Sequence, residues 1–135
     1  MIVVDASVLA NVVGDDGPDG STARAFVGAD EMAIPDLANV ETLAVLRRRW
    51  LAGTLTTDRF KAAVDDLADL PVRRWPSLPL LRRAFDLRAN VTPYDAVYVV
   101  LAEGLDCDLV TADQRLARAP GLRCSVVVLT TPTDS

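Results

Sequence analysis

Apolar residues are arranged along this chain in short runs and in spaced stripes, and the two patterns alternate. Ile2-Val3-Val4 is a β-branched run, and residues 125–129 (Ser-Val-Val-Val-Leu) repeat it near the other end. Leu109-Val110 and Met32-Ala33-Ile34 are weaker examples. Short apolar runs without alternation suit strands covered on both faces of a parallel sheet. Helical patterns lie between them. Residues 21–29 are compatible with a short helix. Residues 36–52 carry Leu37, Val40, Ala44 and Leu51 as an expected inward stripe. Thr57 or Asp58 is positioned to cap a helix running to Leu70, where Pro71 stops it. Ser77 to Ala89 reads as another helix, with Pro79 tolerable only in its first turn. Thr92-Pro93-Tyr94-Asp95 is a strong helix start: a capping Thr, Pro at the first helical position and a carboxylate at the third. That helix continues through Val97, Tyr98 and Leu101 to Gly104.

Strands alternating with helices predict an α/β fold with a mostly parallel sheet, and 135 residues suit a single domain, 1–135. In such sheets the functional crevice lies outside the carboxyl ends of the strands. Two acids stand there on this reading. Asp5 directly follows Ile2-Val3-Val4, and Asp113 follows Leu109-Val110-Thr111.

Composition narrows the chemistry. The chain has no His, which removes Ser-His-Asp and Cys-His triads, the usual general base and His-based zinc sites. Cys107 and Cys124 are the only cysteines, too few for a zinc site, and read as small buried hydrophobes. Neither glycine-rich phosphate-loop signature occurs. No apolar run approaches the ~20 residues that span a bilayer. The N-terminus shows no charged leader, so a soluble cytoplasmic protein is expected. The net charge of −5 builds no long-range attraction to nucleic acid into the total. Thirteen of the fourteen basic residues are Arg, with Lys61 the exception, and several cluster: Arg47-Arg48-Arg49, Arg73-Arg74, Arg82-Arg83. Arg suits bidentate phosphate contacts, and equally suits solvated helix faces.

Catalysis must therefore run on carboxylates, hydroxyls, Arg or a metal held by oxygen. Four acids are candidates, each with a structural explanation beside the functional one. Asp5 can cap a helix starting near Ala6, Asp95 can serve a capping box with Thr92, and Asp113 can cap a helix Gln114–Ala119. Glu41 is harder to explain structurally, because it lies on or beside the apolar stripe of its helix with no Arg at i+3 or i+4. A buried carboxylate needs a partner or a cation. Clustered carboxylates repel, and Mg²⁺ or Mn²⁺ supplies the missing charge through oxygen ligands.

Four segments in order carry a resemblance: Val-Val-Asp5-Ala-Ser7-Val-Leu, Pro35-Asp-Leu-Ala-Asn-Val-Glu41, Thr-Pro-Tyr-Asp95-Ala-Val-Tyr, and Leu-Val-Thr111-Ala-Asp113-Gln-Arg-Leu. In length, motif order and spacing the chain resembles PIN domains, and more narrowly the VapC-type toxins of toxin–antitoxin pairs. The resemblance implies a three-layer α/β/α fold and Mg²⁺-dependent endoribonuclease activity on RNA, with Mn²⁺ as a substitute. It further implies a cognate VapB-type antitoxin and a homodimer. Carried across, Asp5, Glu41, Asp95 and Asp113 are the metal-binding catalytic acids, with Ser7 and Thr111 as supporting hydroxyls. Many family members have a further acid where this chain has Arg115, so a second metal is expected to bind weakly or with substrate, and Arg115 is a candidate phosphate contact. With so acidic a chain, selective cleavage of a structured RNA is expected. Two alternatives remain: a metal-dependent phosphatase, whose usual second Asp is here Ser7, and a PIN-like binding module without catalysis.

Overall fold

The computed structural model describes residues 1–131, so positions 132–135 of the expected domain lie outside the described residues. Five strands form one wholly parallel sheet: β1 (Ile2–Val4), β2 (Met32–Pro35), β3 (Val72–Trp75), β4 (Asp108–Thr111) and β5 (Val126–Val128), in the order β3-β2-β1-β4-β5. The helices are α1 (Ala6–Gly14), α2 (Pro18–Val27), α3 (Leu37–Leu51), α4 (Thr57–Asp69), α5 (Leu81–Asp86), α6 (Pro93–Leu105) and α7 (Gln114–Ala117). Helix α1 packs on β4 and gathers α2, α3 and α4 around it, while α6 crosses β1, β2 and β4 with α5 alongside. The result is the expected three-layer α/β/α arrangement.

The central strands are apolar because both of their faces are covered. Val3, Val4, Ala33, Ile34, Leu109 and Val110 are fully buried. Helix α6 is buried over its central two turns, Ala96 to Ala102, as a stretch apolar all round should be. A second cluster, Ala10, Val13, Leu46, Leu55, Ala63 and Leu67, lies where α1, α3 and α4 meet.

Several elements differ from the sequence reading. Strand β3 was not expected: its sequence Val-Arg-Arg-Trp is neither an apolar run nor an alternation, and Arg73, Arg74 and Trp75 are exposed on the sheet edge. Charged side chains on an edge strand block further pairing. The inward stripe of α3 is also corrected. Val40 and Leu51 are 70% and 58% exposed, and the helix buries Ala38, Thr42 and Leu46 instead. Helix α3 packs closely on α1, where Gly14 has no side chain to obstruct Leu46: a Cβ there would stand 2.6 Å from Leu46 Cδ2. The expected helix from Ser77 is a 3₁₀ turn (Leu78–Leu80) containing Pro79, followed by α5. Helix α2 starts earlier than expected, with Pro18 in its first turn, and α4 is capped by Thr56, whose hydroxyl accepts from Arg59 N at 3.2 Å. Helix α6 runs one residue past Gly104 and ends where Asp106 turns left-handed, φ 51°. Cys107 and Cys124 are free, half-buried thiols beside β4 and β5; burial pushes Cys124 up to about 11.

Candidate active site at the carboxyl ends of the strands

Strand order reverses between β1 and β4: the chain moves outward through β2 to β3, then returns to the other side of β1. Such a switch point opens a crevice at the carboxyl ends of the two strands. Asp5 is the first residue beyond β1, with its N–H donating to Val110 O at 3.1 Å. This places it directly beside Thr111, the last residue of β4.

Asp5 is 7% exposed, and every one of its close donors is local to this crevice. Oδ1 accepts from Ser7 Oγ at 2.5 Å and from Val8 N at 3.2 Å, and Oδ2 accepts from Thr111 Oγ1 at 2.5 Å. Ser7 Oγ in turn accepts from Ala112 N at 3.2 Å, and Thr111 Oγ1 accepts from Asp113 N at 3.0 Å. The two hydroxyls therefore lace the end of β1 to the end of β4. Asp5 both caps α1 and anchors this network. Burial pushes its carboxyl above the usual carboxylate range, and the donors oppose that rise.

The other three acids arrive on separate elements. Helix α6 runs antiparallel to the strands, so its N-terminus returns to their carboxyl ends. Thr92 caps it, accepting from Asp95 N at 3.2 Å, and Asp95 sits in its first turn. Desolvation, then the charges of Asp5 and Asp113, push Asp95 up. Glu41 reaches the same region from α3, which follows β2. Desolvation and the charges of Asp95 and Asp5 push it up as well, and its Oε1 is buried with no hydrogen-bond partner among the described residues. Asp113 behaves differently. Against its slight desolvation, the N–H and guanidinium of Arg115 hold it below the usual range. Arg115 Nε and Nη2 lie 3.3 and 3.4 Å from the two Asp113 oxygens. Arg115 thus gives Asp113 an ion pair that the other three acids lack, and acts on Asp95 only at longer range.

Tyr98 completes the floor and was read from the sequence only as a helix residue. It is 1% exposed, and its hydroxyl lies beside the Glu41 carboxylate without a hydrogen bond of ordinary geometry. Burial and the charges of Glu41 and Asp5 raise its pKa far above that of a free phenol. Its position three residues after Asp95, on one helical face, is the signal that could have found it. Beside the acids lies a cleft of about 500 Å³ lined by Arg88, Asn90, Thr92, Asp95, Asp113 and Arg115, among others.

Among the described residues no three acids already form a chelating group. The donor set nevertheless suits a hard divalent cation. It is oxygen only, one buried carboxylate oxygen has no hydrogen bond of ordinary geometry, and three carboxyls are raised by desolvation, Glu41 and Asp95 also by neighbouring carboxylates.

The PIN domain family model matches residues 2–122, which include all four acids. The chain belongs to the PIN-domain family, among the VapC ribonucleases. A VapC ribonuclease of Mycobacterium bovis is 37% identical over 129 residues, spanning 96% of this chain and 98% of its own length. Ribonuclease VapC1 of Mycobacterium tuberculosis is 38% identical over 125 residues, spanning 92% and 94%. The crystal structure of M. tuberculosis VapC20, described as a sarcin-ricin loop cleaving toxin, aligns with a TM-score of 0.68 at 16% identity over 87% of this chain and 94% of that one. VapBC2 from Rickettsia felis, bound to a promoter DNA fragment, aligns with a TM-score of 0.67 at 11% identity over 96% and 100%. At those identities the two structures speak to the PIN fold alone.

Proposed function

We propose that this PIN domain is a divalent-metal-dependent endoribonuclease, the toxin of a toxin–antitoxin pair, held in check by a VapB-type antitoxin and acting as a homodimer in the cytoplasm. The observation that carries the reading is the convergence of Asp5, Glu41, Asp95 and Asp113 on one crevice, three of them raised in pKa chiefly by burial.

Asp5, Glu41, Asp95 and Asp113 would hold Mg²⁺ or Mn²⁺. Such a cation, when bound, lowers the pKa of a water and neutralises charge on a phosphodiester. The chain's own groups prepare the site. Ser7 and Thr111 each donate to a different oxygen of Asp5, fixing the carboxylate plane across the strand junction. Glu41 offers a buried carboxylate beside the Tyr98 hydroxyl, its Oε1 free of any hydrogen bond of ordinary geometry. Tyr98 and the apolar residues of α6 exclude water from beneath, which strengthens every charge interaction at the floor. Arg115 keeps Asp113 ionised and can transfer its donors to a phosphate when substrate enters.

Incubating the purified protein with a mixed RNA pool in Mg²⁺ or Mn²⁺ tests this reading, beside a chelator control, an Asp5→Asn variant and a generic phosphatase substrate. Metal-dependent RNA cuts absent from the variant are expected, with the phosphatase substrate intact. Hydrolysis of the phosphate monoester alone supports a phosphatase, and no hydrolysis of either supports a binding module.

A further inference from the structure

A protein of net charge −5 that grips RNA must do so with locally placed cations. The cleft beside the acids has two, Arg88 and Arg115. Arg115 is engaged with Asp113. Arg88 has no carboxylate partner among the described residues, so of the two cations lining the cleft it is the one not committed to an acid.

Arg88 is also held in place. Its guanidinium lies over the Phe85 ring, 4.1 Å from the centroid, and Nη1 donates to Phe85 O at 3.1 Å. A guanidinium so clamped has already lost much of the rotamer freedom that binding would otherwise cost, and it keeps Nε and Nη2 for a ligand. Phe85 itself is 60% exposed and contributes no core packing that would explain its presence. Its ring is the surface on which the Arg88 guanidinium rests.

We infer that Arg88, clamped on Phe85, is a substrate-binding residue that receives a backbone phosphate of the RNA next to the one being cut. The inference rests on the nuclease reading for the identity of the ligand. It goes beyond that reading in assigning the RNA track to the α5–α6 side of the acids.

Two readouts test it on the full chain: fluorescence binding of a labelled mixed-sequence RNA decanucleotide in EDTA across a salt series, and steady-state cleavage of the same RNA in Mg²⁺. The variants are Arg88→Ala, Arg88→Lys, Phe85→Leu and, as a charge-matched surface control, Lys61→Ala. With Arg88→Ala, Kd and KM should rise roughly tenfold and the slope of log K against log salt should flatten by about 0.7. Phe85→Leu should weaken binding with the slope kept, because the charge remains but its orientation is lost. Arg88→Lys should do the same. An Arg88→Ala variant that matches Lys61→Ala in Kd, KM and salt slope overturns the inference, while metal-dependent cleavage by wild type in that case leaves the nuclease reading standing. Conversely, a wild type that binds RNA through Arg88 and cuts none upholds Arg88 as an RNA-phosphate contact and overturns the nuclease reading together with the assignment next to a cut site.

Discussion

At the scale of single residues, Asp5 shows why a helix cap and a site residue are not competing explanations. Its side chain accepts from Val8 N as any N-terminal cap would, and the same carboxylate is tied to Ser7 and Thr111 at the strand junction. Position after a hydrophobic run made Asp5 and Asp113 legible, and the Thr-Pro start made Asp95 legible. Glu41 was singled out for a reason only half right. The stripe used to place it is exposed at Val40 and Leu51, yet Glu41 borders the face that is buried, between Ala38, Thr42 and Val45. Tyr98 and Arg88 were not singled out, because neither a buried hydroxyl nor a cation stacked on a neighbour leaves a pattern in composition. The raised Asp5 pKa has a consequence for stability. A carboxyl whose folded pKa lies above its unfolded value loses stabilisation as pH rises through the folded pKa. In EDTA at pH 7, Asp5→Asn is therefore expected to melt a few degrees above wild type, the gap closing below about pH 4. Adding Mg²⁺ should raise the wild-type midpoint and leave the variant unmoved. A variant that melts lower than wild type in EDTA at pH 7 contradicts the account.

At the scale of elements, the sheet's inner strands were legible because both their faces are buried and their sequences are apolar runs, and the helix from Thr92 because its Thr-Pro start leads into the buried apolar stretch Ala96–Ala102. Strand β3 was not, because its position is enforced by pairing with β2, not by its own side chains: Met32↔Val72 through Pro35↔Trp75. The orientation of α3 was misjudged for a related reason. Burial there follows the small residues Ala38 and Thr42 and the close approach at Gly14, and large apolar residues are left outside. The turn into α2 makes a quantitative prediction. Asp15 Oδ1 accepts from Gly17 N and Gly20 N at 2.8 and 2.9 Å, and a Cβ on Gly20 would stand 1.8 Å from Asp15 O. Backbone cannot yield as a side-chain tip can, so Gly20→Ala should cost about 2 kcal/mol or more in urea unfolding. A change under about 0.5 kcal/mol would show that the turn accommodates a methyl group.

At the scale of the whole molecule, the fold gathers four acids from four elements at one crevice and ties down the opposite end separately. There Glu103 accepts from Arg83 at 2.9 and 3.2 Å and from Arg123 N at 2.7 Å, joining α6, α5 and the approach to β5. Against partial burial, these donors hold Glu103 below the usual carboxylate range. Its contribution is present above the unfolded pKa of about 4.3 and is lost as pH falls through the folded value. Glu103→Gln should destabilise the protein by about 2 kcal/mol at pH 7, with the difference from wild type shrinking in acid. An unchanged difference between pH 7 and pH 3 would exclude the ion pair as its cause. The central claim concerns the other end, and it is tested most directly by the initial rate of RNA cleavage as a function of Mg²⁺ concentration. Saturable dependence is expected for wild type, with no cleavage in chelator and a loss of at least about a hundredfold in each of Asp5→Asn, Glu41→Gln, Asp95→Asn and Asp113→Asn. Cleavage that persists in chelator, or at the wild-type rate in Asp5→Asn, would contradict it.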